Sequence, residues 1–264
     1  MKKILSVWVA MLLATANAMG QWGTGTPYIA RSSFAPTDTS WAGLHGRVRT
    51  VEWQQIDTLD DGEVVKDTLF HRYDQSGYVI EIVSPWQEEY PWTYFRYKDG
   101  RINQVINIST TDSMRLIYHY SPDGCLKEVI FDYMDGTGND TTAFRCDAQC
   151  RITSERSRLA ARVSHIYNAQ GLLVKHIYEN GDTYHYTYNE KNQIIKTVSK
   201  TGGIVRTCTY LRNTYGDVVD QYIIETDRGT THHHFDYTYD IHGNWLTCRS
   251  GTTVTTRKIT YHEP

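Results

Sequence analysis

A chain of 264 residues with 22% charged residues, 40% hydrophobic residues and a mean hydropathy of −0.52 is neither a disordered polymer nor a bundle of membrane helices. Its formal charge is −3 and becomes more negative once Lys2 and Lys3 are removed, so it lacks the basic footprint that nucleic-acid binding needs. Tyrosine stands out at 20 positions, and it suits half-buried strands, where the ring packs on the sheet and the hydroxyl reaches a polar partner.

Residues 1–18 have the three parts of a secretory signal. Lys2 and Lys3 are the charged start, Ile4 to Leu13 the apolar run, and Ala16-Asn17-Ala18 a small-x-small cleavage site. The run is short for a bilayer span, and no later stretch offers 18 consecutive apolar residues, so no transmembrane helix is expected. Export to the periplasm, the cell surface or the medium follows as an expectation. Residues 19–43 lack strand alternation and read as an irregular leader or cap.

From Leu44 onward the pattern changes. Residues 44–264 form one repeated unit of strand, tight turn and strand. Aligning on the turn residue gives Gly46, Gly77, Gly100, Gly124, Cys150, Gly171, Asn192, Gly216 and Gly243. Two positions after each anchor stand Val48, Val79, Ile102, Leu126, Ile152, Leu173, Ile194, Val218 and Trp245, all apolar. At the entry to the turn Tyr73, Tyr97, Tyr120, Tyr167, Tyr188 and Tyr239 recur, with Cys146 and Arg212 in two degenerate copies. A second set of turns falls between the anchors, at Gly62, Gly136, Gly181, Gly203, Gly229 and Gly251. Turns roughly every 12 residues predict about 18 antiparallel strands.

Strand alternation places Leu116, Tyr118 and Tyr120 on one face, as it does Tyr184, Tyr186 and Tyr188, or Phe235, Tyr237 and Tyr239. The opposite face takes Arg72, Arg96, His119, Arg145 and Thr238. Glu155 to Val163 and Pro85 to Pro91 break the pattern and read as irregular return turns. The fold class is therefore all-β: an antiparallel meander of repeated hairpins, about nine units, coiled into a spiral or strongly curled sheet.

The turn sequences Tyr73-Asp74-Gln75-Ser76-Gly77, Tyr120-Ser121-Pro122-Asp123-Gly124, Tyr167-Asn168-Ala169-Gln170-Gly171 and Tyr239-Asp240-Ile241-His242-Gly243 resemble the YD repeat of Rhs-type bacterial proteins, in a small exported form. The resemblance implies a β-spiral of stacked hairpins. Large Rhs proteins coil such hairpins into a shell around a toxin, and some YD-repeat proteins are linked to carbohydrate binding. This chain has too few units for a capsule and lacks the self-cleaving core segment, so the resemblance carries over the local fold.

Candidate sites lie where repetition fails. Trp53, Trp86, Trp92 and Tyr90 stand outside the aromatic columns and are candidate ligand-binding residues, since aromatic faces pack on the apolar patches of sugar rings. Cys146 and Cys150 replace the usual Tyr and Gly of one turn. They form a disulfide staple across that hairpin, stay as free thiols, or bind a metal. His232-His233-His234 invites a metal reading, but successive strand residues point to opposite faces, so a polar strand is the reading taken and no metal or cofactor is expected. The acidic pairs Asp60-Asp61 and Glu88-Glu89 fall in turns, and no nucleophile elbow or phosphate loop is present.

The resulting expectation is an exported, non-enzymatic repeat scaffold that binds carbohydrate or a cell-envelope protein through a curved β-surface, with no catalytic residues. An outer-membrane β-barrel is the alternative, and a glycan-active hydrolase using Glu88 or Glu89 a second one. The sequence leaves the oligomeric state open.

Overall fold

A computed structural model describes residues 44–59, 62–84, 92–108, 113–136, 138–157 and 162–263. The proposed signal and leader, Trp86, Tyr90 and the acidic pairs 60–61 and 88–89 lie outside the described residues. All described secondary structure is β-strand or turn, in nineteen antiparallel strands joined as a meander of hairpins. The extra strand relative to expectation arises where Phe235 splits one ladder into β16 (Gly229–His234) and β17 (Asp236–Tyr239).

The chain divides into two compact units. One, here the middle unit, holds residues 118–130 and 140–232. Its ladder runs in chain order through β8 (Gly138–Cys146), β9 (Ile152–Ser157), β10 (Val163–Tyr167), β11 (Leu173–Tyr178), β12 (Thr183–Tyr188), β13 (Ile194–Thr201), β14 (Ile204–Arg212) and β15 (Val218–Glu225). Glu155 to Ser157, expected in an irregular turn, close β9 as strand. The other, the terminal unit, holds residues 44–117, 131–139 and 233–263. There β1 (Val48–Thr58) pairs on one side with β2 (Val64–Tyr73) and on the other with β19 (Thr253–Tyr261). The ladder continues through β3 (Val79–Val83), β4 (Trp92–Lys98), β5 (Arg101–Ile108) and β6 (Ser113–Tyr120), and on the far side through β18 (Trp245–Ser250) and β17.

One turn design recurs in both units. The Asn168 backbone N–H donates to Leu172 O at 2.9 Å, and Gly171 N–H donates to Asn168 O at 3.0 Å. The Asn168 Oδ1 accepts from Gln170 N and Leu172 N at 3.0 and 2.9 Å. Asp74, Asp147, Asn189 and Asp240 make the same pair of side-chain bonds, which explains the acid or amide that follows the tyrosine. The anchor needs a left-handed backbone, φ +82° at Gly171, and Cys150 and Asn192 meet it at +59° in place of glycine. A register shift follows at the tyrosine column, as between Ile166 and Tyr167 or Thr187 and Tyr188, in the manner of a bulge after a type I turn.

The tyrosines join one repeat to the next. Tyr97 Oη donates to Val79 O at 2.8 Å, Tyr167 Oη to Ile152 O at 2.8 Å and Tyr188 Oη to Leu173 O at 2.6 Å. Each acceptor is the carbonyl of the apolar-column residue in the preceding repeat. The degenerate copies keep the bond: Arg212 Nε donates to Ile194 O at 3.0 Å and Cys146 Sγ to Leu126 O at 3.4 Å. The apolar column is the core itself. Val48, Val79, Ile102, Leu173, Ile194 and Trp245 are each at most 3% exposed. Tyr186 is buried with Leu173 and Ile194, while Arg72, Arg96, His119 and Arg145 are exposed, as alternation predicts.

Candidate functional site

Two groups of buried polar side chains interrupt this apolar face, one in each unit. In the terminal unit the register sets Trp53 of β1 opposite Arg257 of β19 and Leu69 of β2, while Gln55 faces Thr255 and Val51 faces His71. Strand alternation thus puts Trp53, His71, Thr255 and Arg257 on one face. The Arg257 guanidinium lies 3.4 Å above the Trp245 ring centre and 5.1 Å from that of Trp53. Trp53 meets His71 edge-on, with ring centres 4.4 Å apart. His71 is 1% exposed, and its Nδ1 lies 3.2 Å from the Tyr73 hydroxyl. Burial, with the nearby Arg257 charge adding to it, pushes the His71 imidazole down to about 3, so the ring is neutral at physiological pH. Trp53 Nε1, Trp245 Nε1, His71 Nε2 and Thr255 Oγ1 are among the buried polar atoms here that have no hydrogen-bond partner.

In the middle unit Glu155 of β9 is flanked across the ladder by Phe144 and Val163. Its Oε1 lies 3.7 Å from His165 Nε2. His165 meets His176 edge-on at 4.7 Å, and His176 meets Tyr186 at 5.5 Å. Burial pushes the Glu155 carboxyl up to about 7 and, with help from His176, the His165 imidazole down to about 3. Both groups are thus driven toward their neutral forms, so the contact is a weak ion pair at best. Tyr186 is pushed upward by burial and stays a phenol.

The sequence candidates fare differently. Trp53 joins the terminal-unit cluster. Trp92, 38% exposed, opens β4 opposite Val83 and Ile108 and belongs to no such cluster. The expected Cys146–Cys150 staple is corrected: Cys150 is bonded to Cys125, with Cα atoms 4.8 Å apart, and Cys146 is a free thiol. The reason is the ladder. Cys146 occupies the tyrosine column and points its sulfur at Leu126 O. Cys150 occupies the turn anchor, one repeat along from Gly124-Cys125, so equivalent turns meet across repeats. His232 stacks on Tyr222 at 4.4 Å and bonds Asp220 at 2.8 Å, on the exposed side of the strands. Among the described residues no group of three or more His, Cys, Asp or Glu is arranged to hold a metal ion. An open cleft of about 360 Å³ is lined by Arg115, Asp132, Met134 and Asn139, but its Arg115–Asp132 ion pair already satisfies the charges, and none of its lining residues belongs to either cluster.

Sequence reasoning missed His71, Arg257, Glu155, His165 and His176. A usable signal existed for two: Leu69, His71 and Tyr73 alternate onto one face, as do Val163, His165 and Tyr167. Arg257 could not be found this way, because its pairing with Trp53 joins strands about 200 residues apart.

Comparison with known proteins bears on the repeat. Residues 167–204, which hold two successive turns and the Tyr167 and Tyr188 bonds, match the family described as RHS Repeat. The chain carries an RHS repeat. No curated protein matches it. Among solved structures it is similar to a porin-like protein from Bacteroides uniformis at 10% identity, TM-score 0.48, covering 82% of this chain and 99% of that one. It is also similar to a TcdB2-TccC3-Cdc42 structure, at 11% identity and TM-score 0.27, and to the Photorhabdus luminescens Tc holotoxin pore carrying a TccC3 mutation, at 10% and 0.27. Each toxin match covers 78% of this chain and spans 15% of the toxin chain. The RHS repeat thus sits in the middle unit, and its hydrogen-bond rule extends to Tyr97 in the terminal unit.

Proposed function

We propose that the chain is an exported, non-enzymatic repeat scaffold that binds a carbohydrate or a cell-envelope protein, with Trp53 and its neighbours as the binding residues. Residues 1–18 act as the signal and 19–43 as a leader before a repeat region that runs from 44 to 264. The observation that carries the reading is the ladder. The column tyrosines Tyr97, Tyr167 and Tyr188 bond the preceding repeat, the turn carboxylate or amide closes its own turn, and the apolar column fills the core. The unmet polar atoms at Trp53, Trp245, His71 and Thr255 lie outside that scheme. The Cys125–Cys150 disulfide fits an oxidising compartment. Exposed Arg72, Arg96, Arg145, Lys196 and Lys200 favour a water-facing surface over a lipid-facing one, where a charge costs about 2–4 kcal/mol at mid-depth.

The test is capture of partners from a native cell envelope together with a glycan array, comparing the wild type with Trp53→Ala. Selective capture that Trp53→Ala abolishes is the expected result. Recovery of the protein in detergent-dependent membrane fractions alone would defeat the scaffold reading, and turnover of any arrayed glycan would defeat the non-enzymatic one.

A further inference from the structure

We infer that the outward face of β8–β15 in the middle unit docks on an anionic lipid surface, with its lysines on the headgroup phosphates and its aliphatic side chains at the acyl boundary. The inference goes beyond the Trp53 reading and uses none of its residues. Strand register lays the outward residues in rows across the ladder. One row carries Arg145, Ile177, Thr183, Lys200 and Val205. The next carries Ile166, Lys175, His185, Val198 and Ile224. Arg156 and Lys196 lie two residues further along their strands on the same face. Among the described residues no Asp or Glu stands at an outward position from β8 through β14, although the chain holds more acidic than basic residues. The first carboxylate met is Asp220 of β15, which is bonded to His232. Arg145, Arg156, Lys175, Lys196 and Lys200 form no ion pair among the described residues. Elsewhere outward bases are paired across the ladder, Arg72 with Glu81 and Arg115 with Asp132.

The charges gather on adjacent strands. His185 stands directly opposite Lys175, and Lys196 and Lys200 stand diagonal to His185, two residues either side of Val198. Opposite and diagonal side chains of a sheet start roughly 5 and 8 Å apart. Three lysines thus share one patch with no counter-charge, and the positive potential there is complementary to an anion from outside the chain. The apolar residues decide the kind of anion. Ile166, Val205, Leu211 and Ile224 are 44, 38, 50 and 52% exposed on this face. A polyanionic glycan or a nucleic acid rewards aromatic faces, and the outward Tyr222 ring is already stacked on His232 at 4.4 Å. A bilayer surface uses both kinds of group at once. Its acyl boundary takes the aliphatic side chains, and its phosphates take the lysines, whose long stems reach from one level to the other. At headgroup level the lysine charge is attracted, so the penalty of a charge at mid-depth does not arise. Exposed apolar groups rimmed by charge are the mark of such a surface.

The experiment is co-sedimentation of the protein, as recovered from its cells, with vesicles of phosphatidylglycerol and phosphatidylcholine in equal parts. Vesicles of phosphatidylcholine alone are the neutral control. Binding to the anionic vesicles only, released by salt without detergent, is the expected result. Lys175→Gln, Lys196→Gln and Lys200→Gln should each weaken it about fivefold, and the three together about a hundredfold, from the usual worth of a lysine at an anionic surface. Ile224→Ser should weaken it about tenfold. Arg96→Gln in the terminal unit should leave it unchanged. No binding, equal binding to neutral vesicles, or undiminished binding in the triple variant overturns the inference. Lysine-dependent binding that Ile224→Ser leaves intact overturns it too, since no side chain would then enter the bilayer. Lysine-dependent capture of soluble polygalacturonate without vesicle binding would give the face to an acidic glycan instead. Trp53→Ala is expected to leave vesicle binding unchanged, so failure here spares the Trp53 reading and failure of that reading spares this one.

Discussion

The middle and terminal units are built from the same hairpin, yet they bury opposite kinds of polar group. The middle unit buries a carboxyl group with two imidazoles, and the Cys125–Cys150 disulfide staples two successive turns. The terminal unit buries a guanidinium between two indoles beside a neutral histidine. The ladder bonds are alike in both, so the repeat rule is indifferent to what the inward positions carry. A repeat scaffold gains this freedom because each hairpin is held by its neighbours through backbone carbonyls and an apolar column. Single inward positions can then be given over to other chemistry.

That contrast can be broken most sharply at Trp245. Removing its ring strips both a core column residue and the surface under Arg257, so Trp245→Ala should cost about 3–5 kcal/mol in denaturant unfolding. A loss below about 1 kcal/mol would mean the stack is peripheral to the terminal unit. Next comes the staple. Cys125 and Cys150 close a 25-residue separation, so Cys125→Ser should cost about 3 kcal/mol. Reductant should destabilise the wild type and Cys146→Ser equally and leave Cys125→Ser unchanged; the reverse pattern would restore the Cys146 pairing.

The pH response should then separate two buried groups, Glu155 of the middle unit and His71 of the terminal unit. Glu155 in the folded chain keeps its proton up to about 7 against an ordinary value of 4.5. Between those values the unfolded state holds fewer protons, so this group's contribution to stability falls as pH rises from about 4.5 to about 7. His71 is lowered from 6.5 to about 3, so between those values the unfolded state holds more protons, and stability falls as pH drops below about 6.5. Glu155→Gln should therefore gain on the wild type with rising pH across its window, and His71→Gln should gain with falling pH across its own, each by roughly 1–3 kcal/mol. Melting temperatures measured from pH 4 to 8 decide it; parallel curves for wild type and both variants would show that neither group is buried as described. The smallest effect belongs to the ladder. Tyr188→Phe in the middle unit and Tyr97→Phe in the terminal unit should each cost about 1 kcal/mol, the net worth of one hydrogen bond. A clear difference between them would show that the two units do not share the repeat bond.

Much of this fold was legible from spacing. Residues two positions after each anchor had to be apolar because they fill the core, and eight of the nine are buried, with Leu126 half-buried. The turn Tyr239-Asp240-Ile241-His242-Gly243 reads as a regular repeat turn, and it is one. Burial alone would raise the Asp240 carboxyl, but hydrogen bonds from Tyr261 and from the Asn244 and His242 backbone hold it below its usual range. Asn244, fully buried, bonds both backbone groups of His45. The disulfide partner was misread because a spacing of four within one turn looks closer than a spacing of 25 between two turns. Distance along the chain says little when equivalent positions stack from one repeat to the next.

The sequence by itself determined the hairpin, its turn chemistry and the two faces of each strand, since all three follow from local φ preference and period-two alternation. Tertiary structure alone decided that β19 lies beside β1, and hence that Arg257 meets Trp53 and Trp245. It also decided that Cys150 reaches Cys125 and that Glu155 faces His165. These are pairings between strands, set by register, and no local pattern encodes which partner a given inward residue will find.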